Sequence, residues 1–184
     1  MNVELTTLWL PILISGVAVF IISSLIWAVI QYHNSDWKKL PDEEAARSAL
    51  NGTAPGLYAV PYAADNAAKA DEAWQAKYKD GPAAMLVVVP HGQLAMGKQM
   101  AQWLIYCIVI SVFVAYIAGT TLAAGADYLK VFQITSMTTI LAHGGMTGMN
   151  MIWFGHTGGK VAKDLFDALI YGLVTAGIFG WLWP

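Results

Sequence analysis

The chain has 184 residues, of which 57% belong to the set A, V, I, L, M, F, W, Y and C and only 12% are Asp, Glu, Lys or Arg. Soluble domains carry about 25% charged residues, so a mean hydropathy of +0.52 leaves too little polar surface to cover a globule of this size. This excludes a disordered chain, a collagen-like chain and an ordinary soluble enzyme, and a net charge of −2 gives no general reason to bind nucleic acid. The single cysteine, Cys107, excludes an internal disulfide and a Cys-based zinc site.

A bilayer core about 30 Å thick requires roughly 20 apolar residues of helix. Leu8–Ile30 and Ala101–Ala124 meet that requirement without a charge, and Leu165–Trp183 meets it with Asp167 near its start. Val131–Phe154 is the weakest span: it has no charged residue, but it carries three glycines, a His, an Asn and several Thr. A buried helix of a soluble protein is the alternative for that segment. Lysine and arginine set orientation. Of the ten, seven lie between the first and second spans, two (Lys160 and Lys163) between the third and fourth, and one (Lys130) in the remaining connection. That distribution predicts cytoplasmic placement of the two basic connections and periplasmic termini. MNVELTTLW has no basic n-region, so the first helix is expected to stay as an anchor rather than be cleaved. Trp9, Trp181 and Trp183 are expected at the outer interface, and Trp27, Tyr32, Trp103 and Trp153 at the inner one.

Between the first two spans, Pro41 opens DEEAARSAL and Asn51-Gly52 closes it, a helix start and stop. GLYAVPYA reads as a short strand, residues 64–79 as a surface helix, and AAMLVVVP as a buried strand. A membrane-skimming segment is the alternative for MLVVV. The predicted fold is therefore all-α membrane: four transmembrane helices with a small α/β cytoplasmic insert, divided as 1–30, 31–100 and 101–184.

Lipid tails are as apolar as leucine, so helices associate in membranes through close backbone approach. Ala168, Gly172, Ala176 and Gly180 form a stripe spaced by four, and Gly144 and Gly148 add small residues on the third span. The stripe serves either an internal contact or a partner. Thr139, His143, Thr147 and Asn150 recur at three- and four-residue steps with Met146, Met149 and Met151 around them, which points to one polar face inside the bundle. Such a face suits an interhelical hydrogen-bond ladder, or a cofactor site built on His143, Asn150, Thr147 and Met146. His33, His91 and His156 flank the spans on the predicted cytoplasmic side and could hold a metal, a quinone head group or a lipid phosphate. Asp164 and Asp167 are expected to complement the dipole at the start of the fourth helix, and their spacing of three also lets both face one ligand. GHTGGK lacks the full phosphate-loop spacing and a preceding strand.

The segments HNSDWKKLPDEEA, PGLYAVPYA, GPAAMLVVVP, MGKQMAQWLIYC and GWLWP resemble a family of small bacterial inner-membrane proteins. The resemblance runs over nearly the whole chain. It implies the bacterial inner membrane and the four-span layout, and it carries no catalytic residues. The third span departs from it in being richer in His and Met.

Two functions follow as expectations. The first is an accessory or assembly subunit packed against a larger membrane complex, respiratory or photosynthetic, with the lipid bilayer and that complex, or further copies of the chain, as partners. The second is a redox or ligand-binding module holding metal, haem or quinone through histidines. No cofactor is required by the sequence, although haem, copper or quinone would suit its His and Met residues. A lipid-handling enzyme has only Asp164 and Asp167 behind it.

Overall fold

The computed structural model describes residues 2–92 and 96–184. It is mostly helical and divides into two compact units, Met1–Lys38 with Ala95–Pro184, and Lys39–Leu94.

In the first unit, α1 (Trp9–Leu25) follows a 3-10 turn over Leu5–Leu8 and runs on into one π turn, Ile26–Ile30. Pro11 falls in the first turn of α1, where its missing N–H costs nothing. The helix ends at Gln31, whose left-handed backbone (φ 58°) turns the chain into a short 3-10 turn, Tyr32–Asp36. α5 (Met96–Thr121) returns beside it. The apolar rods Leu5–Ile30 and Met96–Thr121, each 26 residues, are long and apolar enough to cross a membrane.

The expected third span is not one helix. α6 (Tyr128–Gly144) stops and a shorter α7 (Thr147–Phe154) follows. The break falls at Gly145 and Met146, just after Gly144, and two adjacent glycines lower helix propensity by about 1 kcal/mol each relative to alanine. The 17 residues of α6 rise only about 25 Å at 1.5 Å each. The fourth helix begins earlier than expected: α8 spans Gly158–Trp181, with Thr157 as its N-cap accepting from the Lys160 amide at 3.3 Å. No acid lies in its first turn. Asp164 and Asp167 are therefore too far along the helix to complement its dipole, which acts only over the first turn.

The bundle buries small and hydroxyl residues beside bulky apolar ones: Ser15, Thr135, Thr139, Thr175, Ala118, Ala168 and Ala176 are buried together with Leu8, Val114, Val131 and Phe179, while Leu13, Ile14, Val17, Ile21, Ile105, Phe113, Phe166, Leu169 and Leu173 are exposed. Most of these hydroxyls are satisfied locally or across helices: Ser15 donates to the Pro11 carbonyl at 2.6 Å and lies 3.1 Å from the Ser111 hydroxyl, and Thr139 donates to the Thr135 carbonyl at 2.8 Å, while the buried Thr175 hydroxyl has no hydrogen-bond partner among the described residues. Small residues let α6 and α8 touch. A Cβ added at Gly172 would lie 2.6 Å from Ile140 and 3.1 Å from the Ser136 carbonyl, and one at Gly144 would lie 3.1 Å from the Ala168 methyl. Gly180 faces the Tyr128 ring. Gly148 departs from the expected packing set, for nothing lies near it: it sits beyond the helix break, on α7.

The second unit matches its predicted order with two changes. α2 (Glu43–Ala49) is capped by Asp42, which accepts from the Ala45 amide at 2.9 Å. β1 (Gly56–Val60) pairs antiparallel with β2 (Ala84–Val88), Tyr58 opposite Leu86. The surface helix is two helices, α3 (Asn66–Ala70) and α4 (Glu72–Asp80), because Asp71 stops one and caps the next through the Trp74 amide at 3.1 Å. β2 is not buried. Met85 and Val87 are exposed together with Leu57 of β1, since a two-stranded sheet covers neither of its faces by itself.

Candidate functional site

The reversal at Gln31 brings Tyr32 and His33 against α1 and α8. His33 is 1% exposed. Its ring stacks flat on Trp27, centroids 4.3 Å apart and 3° from parallel. Nδ1 lies 2.9 Å from Asp36 Oδ2 and Nε2 lies 3.0 Å from Asp167 Oδ2. Two carboxylates facing the two ring nitrogens are satisfied together when both nitrogens carry hydrogen, as in imidazolium. Tyr32 donates its hydroxyl to the other Asp167 oxygen, and the Tyr171 hydroxyl stands 3.5 Å from Oδ2.

Lys163 closes the outer side. Its ammonium donates to Asp36 Oδ1 at 2.6 Å, to Ser35 Oγ at 2.6 Å and to the Tyr32 carbonyl at 3.0 Å. The Lys163 ammonium, with help from His33, holds the Asp36 carboxyl below its ordinary pKa, against the opposing effect of burial. Buried charges are tolerated when paired and hydrogen-bonded, and here both carboxylates have such partners.

Asp167 also faces a cavity of about 210 Å³ between the helices. Its polar lining includes His143, Thr147, Asn150 and Asp164, and its rings include Trp27, Trp103 and Tyr171. The His143 ring meets three aromatic rings edge-on, at 5.2 Å from Tyr171, 6.2 Å from Trp103 and 6.4 Å from Tyr106. Trp103 is itself anchored by its indole N–H, which donates to Ser23 Oγ at 2.7 Å.

The expected polar face is thus reassembled despite the helix break. His143, Thr147, Asn150 and Met146 all border the cavity. Thr139 does not; it is buried one turn away in the α6 ladder. Asp164 and Asp167 share the cavity, as their spacing allowed. The histidines of the expected trio have different surroundings. His33 is engaged by two carboxylates, His91 belongs to the other compact unit, and the buried Nδ1 of His156 has no hydrogen-bond partner. Among the described residues, no three of His, Cys, Asp and Glu gather in a way that could hold a metal ion.

Sequence reasoning missed Asp36 and Lys163 as members of the cluster. HNSD carries a signal in retrospect, because His and Asp three apart share one face of a helical turn. Nothing local links that turn to Lys163, which lies 127 residues from Asp36. A larger recess of about 740 Å³ in the insert is bordered by Tyr62, Trp74 and Lys77. Its one acid, Asp71, is already used as a helix cap.

Comparison with protein-family models, with curated proteins and with solved structures finds no match for this chain. The functional reading rests on the residues themselves.

Proposed function

We propose that this chain is a multi-span integral membrane protein that binds a small ligand in the cavity between α5, α6, α7 and α8. The observation that carries the reading is the convergence of His143, Thr147, Asn150, Asp164 and Asp167 with Trp27, Trp103 and Tyr171 on one cavity. A few convergent polar groups in an aromatic recess are the usual chemistry of a small-molecule site. The volume of about 210 Å³ is below the roughly 300–1,000 Å³ of drug-sized sites, so it suits a small molecule or head group and not a haem.

Membrane insertion is supported by the two long apolar rods and by the many bulky apolar side chains exposed on the outside of the bundle, a surface that lipid tolerates and water does not. In this reading four helical segments lie in the bacterial inner membrane, with the lysine-rich insert cytoplasmic and both termini periplasmic, in keeping with the bias of lysine toward the cytoplasmic side. α6 and α7 together take the place of the third span. The accessory-subunit reading drew on the small-residue stripe. Ala168 and Ala176 are 0% exposed and Gly172 abuts α6, so the stripe is occupied within the chain and is not free for a partner.

The test is thermal unfolding of detergent-solubilised protein against a panel of small cations, anions, neutral amides and short-chain quinones. A saturable stabilisation that disappears in Asn150→Trp, which fills the cavity, is the expected result. Stabilisation unchanged by Asn150→Trp, or co-migration with a large complex and no ligand effect, would overturn the reading.

A further inference from the structure

We propose that the ligand of this cavity is an uncharged amphiphile taken from the bilayer, its small hydrogen-bonding head in the cavity and its apolar tail in a groove beside it. The inference deepens the preceding reading and rests on it. Two observations carry it: polar side chains that the fold leaves without partners, and a second recess that shares two walls with the first. The charges of the lining are already matched. Lys160 donates to both Asp164 oxygens, at 2.8 and 2.9 Å, and Asp167 is engaged by Tyr32 and His33. A charged head would lose its hydration there without finding a free counter-charge. The chemistry left over is neutral. Thr147 is 4% exposed and borders the cavity, and its hydroxyl makes no hydrogen bond among the described residues. The side chains of His143 and Asn150 border the same cavity and also make none among the described residues. Each of the three can donate and accept, and a buried polar group is costly until it is paired. A carbonyl or hydroxyl head pairs them.

The second recess, of about 340 Å³, is bordered by Ser23, Ser24, Trp27, Met100 and Trp103. Trp27 and Trp103 border both recesses, so the two meet at those side chains. The hydroxyls of the second are turned to the helix and to Trp103. Ser23 and Ser24 donate to the Phe20 carbonyl at 2.9 and 2.8 Å, and Ser23 accepts from the Trp103 indole at 2.7 Å. With those groups satisfied, the recess offers apolar contact and suits a hydrocarbon tail. Its residues belong to the two rods long enough to cross a membrane, Leu5–Ile30 and Met96–Thr121. Trp27 is 49% exposed, so in the membrane reading the groove opens toward lipid. Together the two recesses reach the roughly 300–1,000 Å³ of ligand sites, which the first alone does not. A free polar molecule would leave the second recess unfilled, and a plain hydrocarbon would leave Thr147, His143 and Asn150 unpaired. An uncharged amphiphile answers both.

The experiment titrates the full-length protein in phosphatidylcholine nanodiscs, reading thermal unfolding and tryptophan fluorescence. The probes share one tail and differ in head: decylbenzoquinone, decanol, decanoate and decyltrimethylammonium. Benzoquinone supplies a head without a tail. Saturable stabilisation by an uncharged tailed probe and by neither charged one is expected, and whether the quinone or the alcohol binds distinguishes a carbonyl head from a hydroxyl head. Thr147→Val removes a hydroxyl that has no partner in the protein, so the unliganded melting temperature should hold while binding weakens about fivefold, the worth of one hydrogen bond. Ser24→Phe fills the groove and should weaken the tailed probe about tenfold or more while leaving benzoquinone unaffected. Binding indifferent to Thr147→Val, or a charged probe as tight as the uncharged ones, overturns the assigned head. Tailed probes indifferent to Ser24→Phe overturn the tail. Either result leaves the cavity itself as a ligand site. No saturable response to any probe in this experiment or the preceding one overturns both.

Discussion

The two ends of the helical bundle are built from opposite materials. At one end Val3, Leu8, Ile12, Val114, Val131 and Phe179 pack as a wholly apolar cluster. At the other, Tyr32, His33, Asp36, Lys163 and Asp167 form a hydrogen-bonded charge cluster beside a cavity. The first end holds by close packing, to which each atom contributes a little. The second concentrates its stability in a few contacts, because a buried charge that loses its partner is left uncompensated. Stability alone does not call for such an end, since apolar residues of similar volume often hold a fold as well. In the proposed reading the first end supplies cohesion and the second borders the ligand.

The largest test of that contrast is His33→Ala. It leaves the Asp36 and Asp167 carboxylates buried without the ring between them, and losing one partner of a buried pair costs about 3–5 kcal/mol. Thermal unfolding in detergent should show a large fall in melting temperature together with loss of ligand stabilisation. A fall no greater than that of an exposed-site variant would count against the charge cluster as the weak point.

Acid should produce a smaller version of the same loss, since it removes carboxylate charge and leaves the ring in place. The Asp36 carboxyl is held below its ordinary value, chiefly by Lys163. A depressed folded value means that the contribution is fully present above the unfolded value of about 3.9 and disappears as pH falls from there through the folded value. Trp27 stacks on His33, so its fluorescence should report the loosening in that window. Asp36→Asn should remove the acid-dependent step. A step of the same size in Asp36→Asn would assign it to another group.

Ala176→Leu probes the helix contact that joins the two ends. Ala176 is 0% exposed on α8, and forcing extra methylenes into a packed site costs about 1–3 kcal/mol. The melting temperature should fall while ligand stabilisation persists, since Ala176 does not border the cavity. Equal melting temperatures for this variant and the parent would mean that α8 contacts its neighbours less closely than described.

Much of the architecture is legible in the residues because its causes are local. The two long apolar rods announce themselves by length and lack of charge. α2 is marked by Pro41, its acids and Asn51-Gly52, and the strands by short apolar runs between turn residues. Where the reading failed, a competing local cause was present and underweighted. Gly144-Gly145 broke the third segment, Thr157 capped α8 ahead of the expected start, and Asp71 split one helix into two. The stripe on α8 was visible as spacing, but whether it faced α6 or another protein depended on where α6 lay.

The site divides in the same way. Periodicity alone grouped His143, Thr147 and Asn150, and spacing alone allowed Asp164 and Asp167 to act together. No pattern joined those two groups to each other or to Trp27 and Trp103. Residue order determined the apolar rods, the capped insert helices and the candidates for polar chemistry, because hydropathy, propensity and capping act over a few residues of chain. Tertiary structure decided that His33 lies between Asp36 and Asp167 and that α6 packs on α8. His33 and Asp167 are 134 positions apart and α6 meets α8 across the intervening α7, so both contacts depend on a reversal at Gln31 and a break at Gly145, whose directions no local rule supplies.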